Sequence, residues 1–230
     1  MKNTVAQNIQ DVLRRIKEAA VKAGRDPKDI RLVAASKLIA PEKLKEAHEA
    51  GVDDFGENRI QEAKKKMEAL SGLPIRWHFF GHLQTNKANA AIDMGFELIH
   101  SIDSVRLLDL LENHAAKADK SQSVLVEVKL SGEPSKHGVA EEGLFEILDA
   151  SRKTPHIKIE GLMTVPPFFS KPEEARPYFA RLRAARDEAV KEGFPLKHLS
   201  MGMSHDFETA IEEGATIVRI GTLIFGGRTK

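Results

Sequence analysis

Lysine, serine, arginine and histidine stand where short apolar runs of this chain end, and chemistry is sought there first. Lys37 closes residues 32–36, an uncharged and mostly apolar run that reads as a buried strand. Strand alternation places Val33, Ala35 and Lys37 on one face, with small neighbours leaving room beside the amine. Burial penalises the charged form of an amine, and a neutral amine next to a carbonyl gives a Schiff base. That is the linkage by which pyridoxal phosphate is held. The competing reading is a strand-end lysine directed at solvent, the common fate of lysines.

Three more groups join it. In Ser200-Met-Gly-Met-Ser204, hydroxyls beside free backbone N–H groups at a helix start suit phosphate. Gly221 permits a second close backbone approach, next to Thr222. The alternative for Ser204 is a cap on the acidic-headed helix that follows. Arg219 lies in the apolar run Ile217-Val-Arg-Ile-Gly221, where a charge needs a partner. A structural ion pair is one reading. The other is a pyridine nitrogen, which arginine, able only to donate, would keep unprotonated and so a poor electron sink. His78 and His82 form His-x-x-x-His, but on a strand and its exit they are about 13 Å apart. Two ligands of one zinc each lie about 2 Å from it, so no metal is expected.

The elements that must position these residues alternate. A helix spans 3–23 and stops at Gly24, with Val5, Ile9, Val12, Leu13, Ile16 and Ala20 at helical spacing. Strands are expected at 31–36, 52–55, 75–80, 97–100, 123–129, 157–163, 196–200 and 216–220, with seven helices between them. Gly56-Glu57-Asn58 is expected to open the helix after the second strand. Ser170-Lys-Pro-Glu173 has the pattern of a capping box for the long helix to Lys191. Eight strands alternating with helices predict an α/β fold, a single (β/α)8 TIM barrel over 1–230, with the extra N-terminal helix covering a gap left by the short C-terminal segment. A doubly wound open sheet is the alternative, weakened because no Gly-x-Gly-x-x-Gly follows the first strand. In a barrel, Lys37, Asn58, His82, Ser204, Arg219, Gly221 and Thr222 all fall at the strand ends that carry active sites.

Composition narrows the class of partner. The 230 residues carry 35 basic and 34 acidic side chains, so no bulk field points to nucleic acid or a membrane surface. Without cysteine there is neither a disulfide nor thiolate catalysis, which fits the cytoplasm best. No signal core and no run of 18 apolar residues is present, and a soluble protein is expected.

Taken together, the segments Val33-Ala-Ala-Ser-Lys37, Phe55-Gly-Glu-Asn58, Trp77-His-Phe-Phe-Gly81, Leu83-Gln-Thr-Asn-Lys87, Gly161-Leu-Met163, Leu199-Ser-Met-Gly-Met-Ser204 and Val218-Arg-Ile-Gly-Thr222 resemble the YggS/PROSC family of pyridoxal-phosphate-binding, PLP-homeostasis proteins. The resemblance covers nearly the whole length. It implies an alanine-racemase-type barrel and a Schiff base at Lys37. It further implies phosphate contacts at Ser204, Gly221 and Thr222, an arginine at the pyridine nitrogen, Arg219, and an asparagine near the cofactor, Asn58. Two departures flank the site: His82 replaces the family's usual proline, and His205 an acidic or small residue.

Two functions follow as expectations. One is a monomeric protein that holds and delivers pyridoxal 5'-phosphate, with apo-enzymes as acceptors and no catalytic residue of its own. The alternative is a PLP-dependent amino-acid racemase. Racemisation wants an acid/base on each face of the substrate. The racemases that the barrel resembles supply one from a second domain, whereas the single tyrosine here, Tyr178, falls in an outer helix. That favours the carrier. Lys129 and Lys136 are expected to be solvated.

Overall fold

Short apolar runs separated by one-sided helices close into a ring in the computed structural model, which describes residues 4–133 and 137–227. The strands are β1 Arg31–Ala35, β2 Asp54–Glu57, β3 Arg76–Phe79, β4 Leu98–Ile102, β5 Gln122–Lys129, β6 Val139–Ala140, β7 Ile157–Met163, β8 His198–Met203 and β9 Ile217–Ile220. All their pairings are parallel, and the β4–β5 and β1–β9 pairs close eight of them into a barrel, with two-residue β6 beside β5. Closure leaves the eight strands no open edge.

Around the ring lie α1 Val5–Lys22, α2 Pro41–Glu49, α3 Ile60–Ala69, α4 Ala88–Met94, α5 Val105–Lys117, α6 Leu144–Ser151, α7 Arg176–Lys191, α8 Phe207–Glu212 and α9 Thr222–Phe225. The Thr4 hydroxyl accepts from the Gln7 N–H while the Gln7 side chain accepts from the Thr4 N–H, a reciprocal cap that starts α1. Its buried stripe, Val5, Ile9, Val12, Ile16 and Ala20, packs on α8 and α9. This is the place in the outer ring that four-residue α9 cannot fill. Asn8 donates to the Ile224 carbonyl, Arg15 forks onto Glu208, and Arg25 donates to the carbonyls of Ile211 and Ala215.

Alternation sorts each strand's residues between two cores. Val33, Leu98, Leu125, Met163 and Ile217 fill the barrel interior. Ala34, Phe55, Ile99, Val124, Leu162, Val218 and Ile220 point out against the helices.

Several expected boundaries move. Gly56 and Glu57 do not open a helix: they extend β2, because β1 and β3 on either side offer ladder partners, and α3 begins only at Ile60. Strand β8 runs on through Ser200-Met-Gly-Met, with its register against β9 shifting between Ser200 and Met203, where Gly202 takes a φ of 91°. The expected capping box at Ser170 is not formed. Residues Pro172–Ala175 make a 3-10 turn instead, and Glu173 is drawn to Arg176 at 2.7 Å, leaving α7 to start at Arg176.

Candidate functional site

The register of three neighbouring strands decides which side chains meet. Val33 pairs with Arg219 and Ala34 with Ile220, while Ala35 pairs with Gly56. Two residues beyond the last paired residue, Lys37 therefore stands between the β9–α9 turn on one side and Asn58 on the other. Lys37 is half-buried, and its amine makes no hydrogen bond or ion pair among the described residues. Gly81 backs this corner, because a Cβ there would stand 2.1 Å from the Asn58 carbonyl oxygen. The Asn58 Oδ1 is buried without a partner among the described residues.

Ser204 does not cap α8, whose N-cap is Asp206. Its hydroxyl crosses to the β9–α9 turn and accepts from the N–H groups of Gly221 at 3.3 Å and Leu223 at 3.4 Å. Such bonds are long, so a better acceptor can claim the donors. Gly221 must be glycine for packing, since a Cβ would meet the Ala35 carbonyl oxygen at 2.9 Å. Thr222 is the exposed first residue of α9. These groups fit a phosphate ester.

Arg219 is 4% exposed and points into the barrel beside the interior core. Burial pulls its guanidinium down to about 10, which leaves it charged at neutral pH. It donates to the Ser200 hydroxyl at 2.5 Å and to the Thr164 carbonyl at 3.0 Å. Ser200 Oγ lies 2.8 Å from His100 Nδ1, His100 Nε2 lies 3.0 Å from His78 Nδ1, and His78 Nε2 lies 3.0 Å from Asp54. The direction of this chain follows from its ends. Ionised Asp54 can only accept, so His78 carries its proton on Nε2 and accepts at Nδ1. His100 then donates from Nε2, and the Ser200 hydroxyl donates to its Nδ1 while accepting from Arg219. Both rings are neutral, since burial lowers His78 and takes His100 well below its ordinary value. At Asp54 burial pushes the carboxyl up, but bonds from His78 and Arg76 outweigh it and hold it at about 2.

A second polar cluster lies behind Lys37. The Lys66 ammonium, 5% exposed, donates to the Ser36 carbonyl and Glu57 at 2.6 Å and to Glu62 at 2.7 Å. Glu57 also accepts from the Ser36 hydroxyl at 2.5 Å, and its other oxygen is buried without a partner among the described residues. Burial raises its carboxyl despite these bonds.

The structure thus brings Lys37, Asn58, Arg219, Ser204, Gly221 and Thr222 to one end of the barrel. His78 and His82 part company: His78 turns inward, while His82 stacks on His137 at 4.0 Å and lies 3.3 Å from Asp103. Among the described residues no cluster could hold a metal ion. Tyr178 sits in α7 against Phe169. His205 lies on the rim against Phe168. Lys129, expected to be solvated, is half-buried on the inward side of β5, two and four residues on from Glu127 and Leu125. Lys136 lies outside the described residues. The relay Asp54–His78–His100 and the cluster around Lys66 were not anticipated. A histidine flanked by outward-facing Trp77 and Phe79 was the available signal for His78.

This barrel with its site at the strands' carboxyl ends matches the model of the alanine racemase N-terminal domain over residues 5–229. The pyridoxal phosphate homeostasis protein of Aquifex aeolicus is 48% identical over 96% of this chain and 97% of its own length. That of Pseudomonas aeruginosa is 41% identical over 98% and 96%. The solved structure of PipY from Synechococcus elongatus with PLP bound superposes with a TM-score of 0.85 at 34% identity, covering 97% of this chain and 100% of that one. The chain belongs to the pyridoxal phosphate homeostasis protein family. Among the described residues no helix is long and apolar enough to cross a membrane.

Proposed function

We propose that this protein holds pyridoxal 5'-phosphate at the barrel mouth as a Schiff base on Lys37 and passes it to acceptor apo-enzymes, as a monomer in the cytoplasm and without turnover of its own. The observation that carries the reading is the meeting, at the ends of neighbouring strands, of a lysine with no partner among the described residues, an inward arginine, and two weakly engaged backbone donors of the β9–α9 turn and the helix it starts. When bound, the cofactor supplies a reactive aldehyde and an electron-accepting ring. Lys37 takes the aldehyde. Ser204, Gly221 and Thr222 hold the phosphate, Asn58 borders the ring, and Arg219 faces the pyridine nitrogen. The full-length likeness to relatives named for PLP homeostasis, and to PipY with PLP bound, supports the same assignment. Borohydride reduction of the PLP-loaded protein, followed by peptide mapping, is expected to find the pyridoxyl group on Lys37. A group fixed on another lysine, or on none, overturns the assignment.

Replacing Ser204 by alanine is expected to weaken PLP binding by about 1–3 kcal/mol, the range for a hydrogen bond to a charged group together with its disturbed donors. Titration of the variant by absorbance checks this, and an unchanged affinity would move the phosphate elsewhere.

The ring-facing arginine separates a carrier from a racemase. Arginine cannot give up its proton to the ring or accept one from it, so the pyridine nitrogen stays unprotonated and carbanions gain little. Arg219→Gln can accept a hydrogen bond and is expected to redistribute the cofactor's absorbance and raise side reactions with amino acids. A folded variant with wild-type spectrum and reactivity would show that Arg219 does not face the ring. The racemase reading has its own test: incubation of the loaded protein with L-amino acids. Production of D-enantiomers above that of free PLP, lost in a Lys37 variant, would replace the carrier.

A further inference from the structure

We propose that Lys66, with Glu57 and Glu62, is the positioning clamp that fixes the Lys37 amine for reaction with an aldehyde; this rests on Lys37 being the attachment point. The three side chains grip the backbone on both sides of Lys37 and leave its side chain free. Ahead of it, the Ser36 carbonyl accepts from Lys66 and the Ser36 hydroxyl donates to Glu57. Behind it, the Leu38 N–H donates to Glu62 at 2.6 Å. Lys66 ties the two carboxylates together, so Ser36 and Leu38 are held by one connected unit.

Something must hold this turn, because Leu38 adopts a left-handed φ of 61° with a side chain 64% exposed. A leucine gains nothing from that conformation by itself, and little packing secures it. The clamp also spans two strands. Glu57 ends β2, so the same unit ties the turn that carries Lys37 to the neighbouring strand. Burying an ammonium carries a heavy desolvation cost, which Lys66 recovers only by bonding three acceptors at once, so it holds their positions tightly.

The step that depends on this geometry is condensation. The neutral Lys37 amine adds to the aldehyde carbon, its two protons leave with the aldehyde oxygen as water, and a C=N bond replaces C=O. Reaction rates of this kind fall by about 100-fold for a misplacement of about 1 Å. Affinity for the phosphate half does not depend on the amine.

Two probes separate the roles. PLP reports covalent attachment through the rate at which its absorbance changes and the product becomes fixed by borohydride. Pyridoxine 5'-phosphate, which has an alcohol in place of the aldehyde, reports non-covalent binding alone. Lys66→Met is expected to slow attachment of PLP by about tenfold or more while leaving pyridoxine 5'-phosphate affinity as in wild type. Should loss of the ammonium unfold the protein, Glu62→Ala decides: alanine suits a helix surface, and the change removes the acceptor of the Leu38 N–H. Slower attachment with unchanged pyridoxine 5'-phosphate binding in either variant supports the clamp. Wild-type attachment rates in the folded variants, or parallel loss of both ligands, overturn it. Absence of any borohydride-fixed adduct on Lys37 in the wild type overturns the attachment reading instead, and is visible before any variant is made.

Discussion

Lys37→Ala is expected to lose the PLP-derived absorbance of the covalent form and all borohydride fixation, yet still to bind the cofactor. In the proposed site the amine alone acts on the aldehyde. Ser204 and Gly221 follow the ends of β8 and β9 and Thr222 starts α9, and among the described residues none of their hydrogen bonds runs through Lys37. The variant should fold as the wild type does, because the half-buried side chain has no partner to abandon among the described residues. The remaining affinity is that of a phosphate on hydrogen-bond donors, each worth about 1.5–3 kcal/mol when one partner is charged. Equilibrium dialysis with PLP, beside the spectrum, measures both halves. Loss of all affinity would mean that the phosphate has been misplaced, and a surviving borohydride adduct would mean that another amine carries the cofactor.

The second large effect lies at the other end of the barrel. Asp54→Ala removes the acceptor that sets the direction of the His78–His100–Ser200 chain and leaves a buried imidazole N–H unpaired. A lost charged hydrogen bond costs about 1.5–3 kcal/mol and an unpaired buried donor about 1–3 kcal/mol, so a destabilisation of about 3 kcal/mol is expected. For a protein of this size that lowers Tm by about 6–12 °C. The effect depends on pH with a defined sign. The folded carboxyl is held at about 2, below its ordinary value of 3.8. Its stabilisation is therefore complete above the unfolded value and is lost as pH falls from there through about 2. Wild type and variant should differ most near neutrality and converge in acid. Thermal melts across that range check it, and coincident curves at neutral pH would show that the chain bears no load.

Much of this was legible in the residues. Eight apolar runs separated by helical periods require a parallel sheet, and their number suits closure, so the barrel needed no contact information. Lys37, Arg219 and Ser204 stood out because each breaks the pattern of the run it belongs to, and the fold brings them to one end of the barrel. What was hidden depends on pairing across the chain. Lys66 is one of three consecutive lysines, Lys64, Lys65 and Lys66, which read together as a solvated face. Only Lys66 falls on the side of α3 that carries Ile60 and Ala63 into the core, and its acceptors come from β1, β2 and its own helix. Asp54, His78, His100 and Ser200 come from four strands, and no spacing within any one of them shows that they meet. The expected capping box failed for a related reason: Glu173 had a stronger local partner in Arg176 than the backbone offered.

The position of α1 sets the order in which the molecule can assemble on a ribosome. Its main partners, α8 and α9, are made late: Arg15 waits for Glu208, 193 residues later, and Asn8 for Ile224, 216 later. At about 5–20 residues/s, α1 spends about 10–40 s in a nascent chain without the surface that buries its apolar stripe. During that time β1 also lacks β9, and with it the whole wall that carries Arg219. The first helix emerges early but docks late, and ring closure and completion of the site fall at the same moment. A nascent chain arrested before β9 should therefore show α1 open to protease, and one extended past α9 should show it protected.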